Sequence, residues 1–375
     1  MIKDFKEVYE NRHEYAKDWR KKYPDRKIVG YMCSYVPEEM FYAGGALPVR
    51  ILGSHEPQNV TEPYIFGMYC PFSRDVLAQG LLGRYDYLDA VTTAYPCMHL
   101  GQAFDSWTLH VTPKYFYVDM PNKVQTPHAL PFLIGRLEEL KRELKDWTGK
   151  EISDEDLKAS IDLYNENRSL LRQIYEARKS VPCPITGTEA MYITTGNLLM
   201  DKQDANPLLK EVIEKELSRP AAKDRSPTRL MIVGSENDDI KFMEMVEQFD
   251  AVIVVDDHCT GSRYFWNQVK LGNGLIEAVA RRYVERPVCP QRDYPERQRL
   301  PHVLNLAKNW NVDGVIVIQQ KFCDPHEFDK VALLKFFESN NLPTLYLEFD
   351  VTVPVGQFKI RVEAFLEKLR EDELW

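Results

Sequence analysis

The sequence predicts an α/β protein of two Rossmann-like lobes, each a doubly wound parallel sheet, with a helical segment between them. Three observations support this fold class. Short apolar stretches alternate with helical patterns early in the chain, apolar residues then recur at helical spacing, and the alternation resumes near residue 229. We therefore divide the 375 residues into an N-terminal α/β lobe with an N-terminal helix (1–125), a helical segment (126–225) and a C-terminal α/β lobe (226–375).

The first lobe is predicted to begin with one amphipathic helix within residues 1–25, where aromatic side chains lie among charges. A short helix should open with Pro37-Glu38-Glu39 and end at Gly44-Gly45, because proline and acidic residues are favoured in a first helical turn. A second helix is expected at 68–82. Buried strands are predicted at 27–33, 47–52, 89–93 and 115–118.

The helical segment starts near Pro131, after which leucines recur at helical spacing among charged residues. Ser153 and the three acidic residues after it are typical of an N-cap and an acidic first turn. In the second lobe, a helix is predicted at 242–249. Strands are expected there at 229–234, 251–256, 314–319 and 343–347.

Charge and hydropathy exclude several functions. The net charge is −9 and no block of Lys or Arg stands out, which argues against a nucleic-acid partner. No apolar run approaches the roughly 18–20 residues of a membrane span, and the charged N-terminus does not look like a signal peptide. We therefore expect a cytoplasmic protein with no membrane partner. The sequence also lacks a P-loop, so we expect no nucleoside triphosphate site on this chain.

The seven cysteines are the main candidates for chemistry. Their odd number and the expected compartment argue against disulfides, and the absence of any CxxC pair excludes compact zinc-ribbon or ferredoxin motifs. They are either small buried hydrophobic residues, as in a structural partner subunit, or ligands assembled from distant segments. The seven are Cys33, Cys70, Cys97, Cys183, Cys259, Cys289 and Cys323.

Five of these cysteines favour a shared metal site, because they lie at strand ends or at the start of a helix beside them. Ligands collect at the carboxyl ends of parallel strands, and thiolates select iron–sulfur clusters, Cu(I) or zinc. The five are Cys33, Cys70, Cys97, Cys259 and Cys323. Cys289 follows an Arg-rich turn and is either a further ligand or a loop cysteine, whereas Cys183 lies between prolines and is expected to be structural. Without Cys183, six cysteines could hold two cubanes with three thiolates each.

Two histidines and one arginine neighbour the cysteines. His99 and His258 could donate protons, with a structural role as the alternative for each. Arg263 could bind a ligand phosphate or neutralise cluster charge, and a surface salt bridge is its alternative.

Five motifs occur in a fixed order along the chain: CSYVPEE (33–39), GSENDD (234–239), DDHCTGSR (256–263), FCDP (322–325) and LEFD (347–350). Together they resemble one known family, the 2-hydroxyacyl-CoA dehydratase / benzoyl-CoA reductase subunits. The resemblance covers roughly residues 25–370, and the start of the chain is similar to the smaller cluster-bearing subunit of ATP-dependent benzoyl-CoA reductases.

The resemblance implies a 4Fe–4S cluster held by three cysteines, which correspond here to Cys70, Cys97 and Cys323. Family members with extra cysteines hold a double cubane, and the second trio would be Cys33, Cys259 and Cys289. The resemblance also implies a larger homologous subunit, a separate ATP-hydrolysing activator and an aromatic acyl-CoA substrate.

The expected function is delivery of low-potential electrons for dearomatising ring reduction within a hetero-oligomer. Two other enzymes remain open. One is a 2-hydroxyacyl-CoA dehydratase subunit, and the other is a homodimeric double-cubane reductase of small molecules. The remaining alternative, outside enzyme chemistry, is the structural partner subunit with buried thiols.

Overall fold

The strands form two sheets of four parallel strands each, so the predicted fold class is confirmed. The structure, a computed structural model, describes residues 1–56, 59–218, 227–272 and 274–372. The first sheet contains β1 (Lys27–Tyr31), β2 (Ala46–Arg50), β3 (Ala90–Ala94) and β4 (Tyr115–Val118). The second contains β5 (Thr228–Gly234), β6 (Ala251–Asp257), β7 (Gly314–Gln320) and β8 (Thr344–Phe349).

Both sheets share one topology, with strand orders β2-β1-β3-β4 and β6-β5-β7-β8. In each sheet the chain adds its second strand on one side of the first strand and its third strand on the other side. Such a switch opens a crevice outside the carboxyl ends of the two central strands, where ligands bind in open α/β sheets. The topology therefore provides one ligand-binding crevice per lobe, beside β1 and β3 and beside β5 and β7.

The helices of the first lobe correct one prediction. The N-terminal helix is two helices, interrupted at Asn11, whose φ of −113° and ψ of 34° are not helical. Asparagine disfavours helix interiors because its side chain bonds to nearby backbone, and here Asn11 Nδ2 donates to the Glu7 carbonyl. The helices are α1 (Ile2–Glu10), α2 (Arg12–Lys22), α3 (Glu38–Ala43), α4 (Pro71–Leu81) and α5 (Met98–His110).

Up to residue 218, where its described part ends, the helical segment contains four helices. Ser153 forms the predicted N-cap, as part of a capping box with Asp156. The predicted boundary with the second lobe, between residues 225 and 226, lies outside the described residues. The four are α6 (Ala129–Thr148), α7 (Asp154–Ala177), α8 (Gly187–Leu199) and α9 (Lys202–Lys215).

The second lobe has more helices than the single one predicted. A short 3-10 helix, Pro290–Arg292, lies between α12 and α13. The α-helices are α10 (Ile240–Glu247), α11 (Ser262–Phe265), α12 (Leu275–Glu285), α13 (Arg299–Asn309), α14 (Asp324–Ser339) and α15 (Val355–Asp372).

The main hydrophobic core is continuous through all three predicted segments. It contains Phe41 of the first lobe, Ile161 of the helical segment and Val279 of the second lobe, all fully buried. Because the three segments pack into one core, the carboxyl ends of the two sheets are held at a fixed position relative to each other. Among the described residues, no helix combines the length and the apolar character needed to cross a bilayer.

Candidate functional site

One cavity lies where the carboxyl ends of the two sheets meet, and six of the seven cysteines line it. The space free of protein atoms at this site is about 780 Å³, a volume that includes open solvent at the mouth of the cavity. Cys183 is not among the lining residues, and its thiol instead donates to the Ile185 carbonyl at 3.1 Å. The lining cysteines are Cys33, Cys70, Cys97, Cys259, Cys289 and Cys323.

The two topological switch points explain this convergence. Cys33 and Cys97 follow β1 and β3, the central strands of the first sheet, and Cys323 follows β7 of the second sheet. Cys259 follows the neighbouring strand β6. Cys289 enters through the loop after α12, so the ligand role left open for it is compatible with its position.

Three of the cysteines share a further geometry. Cys70, Cys97 and Cys323 are the N-cap residues of α4, α5 and α14. In each case a backbone N–H three residues later acts on the thiol and favours the thiolate. These are the three cysteines to which the family resemblance assigned a cluster.

Burial keeps these thiols neutral. It raises the pKa of Cys70, Cys97 and Cys323, because a thiolate is poorly solvated inside the protein. Cys70 also raises the pKa of Cys97, and Cys70 and Cys97 raise that of Cys323, so the three thiols lie within electrostatic reach of one another. Metal binding at such thiols has to release their protons.

Four buried arginines line the same cavity: Arg50, Arg263, Arg286 and Arg292. In the part of the chain that the structure describes, each has at least one buried side-chain N–H without a hydrogen-bond partner. The surface salt bridge considered for Arg263 is wrong, because its side chain is 2% exposed. Sequence reasoning missed Arg50, although a charged residue at the end of an apolar strand is a detectable signal.

The three arginines other than Arg50 are anchored on loop backbone. Arg263 donates to the Gly234 and Asp257 carbonyls, and its Nε lies 3.5 Å from Asp257 Oδ1. Arg286 donates to the Ser34 and Arg263 carbonyls. Arg292 donates to the carbonyls of Ala94 and Tyr95, at the end of β3. Positive charge is therefore built into the cavity wall.

Neither predicted proton donor lines the cavity, whereas His326, which the sequence analysis did not select, does. His99 Nδ1 accepts a hydrogen bond from the Cys70 N–H, and His258 Nδ1 lies 3.1 Å from Thr260 Oγ1. Burial lowers the pKa of both imidazoles. Both imidazoles make polar contacts within loops that carry cysteines. Proton donation by either histidine stays a prediction.

The donor set of the cavity has the chemistry of an iron–sulfur cluster site. Clusters of this kind are held by thiolates that are distributed over several irons. Six thiols, with Glu236 as the one carboxylate among the lining residues, match the soft ligands of such clusters.

Comparison with known proteins agrees with the resemblance predicted from the motifs. A benzoyl-CoA reductase subunit of Thauera aromatica is 26% identical over 93% of this chain and 92% of its own length. The (R)-phenyllactyl-CoA dehydratase beta subunit of Clostridium sporogenes is 26% identical over 98% of each chain. The beta subunit of (R)-2-hydroxyglutaryl-CoA dehydratase from Acidaminococcus fermentans is 26% identical over 92% of this chain and 93% of its own.

The family model described as 2-hydroxyglutaryl-CoA dehydratase, D-component, matches residues 33–369, which is most of the chain and includes all six lining cysteines. The relatives are subunits of enzymes that act on acyl-CoA thioesters, by their names both reductases and dehydratases. This chain belongs to the 2-hydroxyglutaryl-CoA dehydratase D-component family.

Proposed function

We propose that this chain is the iron–sulfur subunit of an ATP-dependent benzoyl-CoA type reductase, acting on an aromatic acyl-CoA. The observation that carries the proposal is the convergence of six cysteines from six separate loops on one cavity. Membership of a family of acyl-CoA enzyme subunits supports it. A larger homologous subunit and an ATP-hydrolysing activator, both implied by the family resemblance, complete the proposed enzyme. The missing P-loop agrees with ATP hydrolysis on a separate chain.

The second trio of cysteines favours reduction over dehydration. The relatives include a reductase subunit and dehydratase subunits at the same 26% identity, so the comparisons do not decide between them. Elimination of water from an acyl-CoA is redox-neutral overall, whereas ring reduction consumes two electrons per turnover. A cavity with thiols for two cubanes suits the reaction that consumes more electrons.

The proposed ligands are Cys70, Cys97 and Cys323 for one cubane and Cys33, Cys259 and Cys289 for the second. When bound, iron–sulfur clusters supply low-potential electrons. The buried arginines balance the negative charge of the thiolates. Phe72, Pro96 and Leu100 line the cavity with apolar surface, which limits access of water to the thiols.

One observation favours a second candidate, a homodimeric double-cubane reductase of small molecules. All six lining cysteines belong to this one chain, so a double cubane requires no ligand from a different subunit. The two candidates share the cavity chemistry and differ in assembly and substrate.

Anaerobic purification followed by iron and acid-labile sulfide analysis tests the proposal. We expect about eight irons per chain for a double cubane, while about four would indicate a single cubane. The triple variant Cys33→Ala/Cys259→Ala/Cys289→Ala should keep about half of the iron, and the control Cys183→Ala all of it. A wild-type chain without iron would overturn the proposal.

Assembly and substrate assays separate the candidates. Co-purification with a larger homologous subunit and ATP-dependent reduction of benzoyl-CoA are expected for the first candidate. A homodimer that reduces small molecules would support the second. Dehydration of a 2-hydroxyacyl-CoA in place of reduction would contradict both.

A further inference from the structure

Arg50 is the last residue of β2, and its side chain is buried, with 2% of the residue exposed. It pairs with Tyr31 in the register of β1 and β2 and lines the six-cysteine cavity. The guanidinium carbon lies 5.5 Å from the centre of the Tyr31 ring and 5.9 Å from that of Phe72. Both of these contacts are with aromatic rings, which supply no anion.

Arg50 differs from the other three arginines of the cavity in its polar contacts. Among residues 1–56, 59–218, 227–272 and 274–372, its Nε and Nη1 have no hydrogen-bond acceptor, and its side chain forms no ion pair. Arg263, Arg286 and Arg292 each donate to backbone carbonyls. A buried guanidinium without a partner is unfavourable, so the structure has donors available for an anion inside the cavity.

The charge of Arg50 acts on Glu236, a carboxylate of the second lobe that lines the same cavity. Burial and the nearby Asp238 raise the pKa of Glu236, and Arg50 opposes that rise. Arg50 comes from the first lobe, so its field reaches across the cavity. A guanidinium carries several N–H donors in a rigid fork, which suits multiple contacts to one anionic group.

We propose that Arg50 is a positioning residue that donates N–H hydrogen bonds to the anionic iron–sulfur group in the cavity and raises its reduction potential. This inference rests on the proposed function. Hydrogen bonds to cluster sulfurs and nearby positive charge favour the reduced state, because reduction adds negative charge. Arg50 would thus adjust the potential at which this site accepts electrons.

Arg50→Met tests the proposal, because methionine fills similar apolar space between Tyr31 and Phe72 without the charge. We expect the loaded variant to keep a native circular dichroism spectrum and to have a midpoint potential lower by about 59 mV or more. That shift corresponds to a tenfold change in a one-electron reduction equilibrium. The measurement is a redox titration followed by electron paramagnetic resonance, beside iron analysis. Arg281→Gln, which changes a partly exposed arginine on α12 that does not line the cavity, is the control and should leave the potential unchanged.

The apoprotein separates a positioning role from a structural one. Since Arg50 has no polar partner in the described structure, Arg50→Met apoprotein should unfold at the same denaturant concentration as wild-type apoprotein, or higher. Loss of iron from this natively folded variant would also support the proposal. Equal destabilisation of apo and loaded forms, or failure of the apo variant to fold, would overturn it.

Two outcomes distinguish the failure of this inference from the failure of the proposed function. A wild-type chain that binds no iron overturns the proposed function itself. A wild-type chain with clusters, together with an Arg50→Met variant of unchanged iron content and potential, overturns only the role of Arg50. Arg50→Lys keeps the positive charge but lacks the forked N–H donors of the guanidinium. We expect its midpoint potential to lie between those of wild type and Arg50→Met.

Discussion

The backbone N–H of Cys70 donates a hydrogen bond to Nδ1 of His99 over 3.2 Å. The other ring nitrogen, Nε2, lies 3.4 Å from Oδ2 of Asp324, which directly follows Cys323. His99 itself is two residues after Cys97. One imidazole therefore connects the loops of the three cysteines proposed as ligands of the first cubane.

Removal of this imidazole should loosen the cysteine loops. We expect His99→Ala to lose iron and about 1 kcal/mol of unfolding free energy, because the buried Cys70 N–H loses its acceptor. His99→Asn should keep more iron, since its Oδ1 can accept from the same N–H. His110→Ala, at the exposed end of the same helix, serves as the control. Equal iron content in all three variants would show that the contact is dispensable.

The first trio of cysteines can be tested one residue at a time. Cys70→Ala, Cys97→Ala and Cys323→Ala should each lose cluster iron, because each removes one of the three thiols proposed to hold the first cubane. Cys183→Ala should keep the wild-type iron content and spectrum, since its thiol bonds to the Ile185 carbonyl away from the cavity. Iron and sulfide analysis with visible absorption provides the measurement. Wild-type values in all three ligand variants would refute the assignment.

A buried ion pair joins the three segments of the chain. Glu39 of α3 pairs with Arg168 of α7, both side chains 0% exposed, and accepts a hydrogen bond of 2.9 Å from Tyr283 of α12. Glu39→Gln leaves Arg168 buried without its anion, and we expect it to lower the unfolding free energy by about 3–5 kcal/mol. Denaturant unfolding measures this loss.

Two comparisons check that the loss comes from the unpaired charge. The double variant Glu39→Gln/Arg168→Met should lose less unfolding free energy than the two single variants lose when their losses are added, because it leaves no uncompensated charge. Asp162→Asn breaks the exposed Lys158–Asp162 pair on the same helix α7 and should cost less than about 1 kcal/mol. Additive losses in the double variant would contradict the expected coupling.

His55 should make stability depend on pH. Its Nε2 lies 2.5 Å from Oδ1 of Asp238, so the pair connects the first and second lobes. Burial alone lowers the pKa of His55, but the Asp238 carboxylate raises it to about 10, above the ordinary value of 6.5. The folded state therefore holds the proton more tightly than the unfolded state. This stabilisation is complete below about pH 6.5 and is lost as the pH rises through about 10.

The variant His55→Gln isolates this effect. At about pH 6 we expect it to be less stable than wild type by about 1.5–3 kcal/mol, the range for a hydrogen bond to a charged group. The difference should shrink as the pH approaches 10, where wild type has lost the same proton. The exposed control His128→Gln should show no difference at either pH. If the stability difference between wild type and His55→Gln stayed the same from about pH 6 to about pH 10, the charge of His55 would not contribute to stability.

Local patterns predicted the strands well. The strand predicted at 115–118 matches β4, and the other strands agree within two residues at each end, because alternating apolar stretches and turn residues are local signals. Asn11 interrupts a pattern that looked like one helix, and five α-helices of the second lobe were not placed. Helices such as α13 and α14 depend on burial against their sheet, which the sequence pattern does not display.

The sequence by itself determined the α/β class and located five cysteines at strand ends and helix starts, since both follow from residue periodicity and position. Only the tertiary structure decided the strand orders, which set two switch points against one cavity. It also brought in Cys289 and surrounded the thiols with four buried arginines. These relations join residues as far apart in the sequence as Cys33 and Cys323, and they depend on packing between lobes, not on any local pattern.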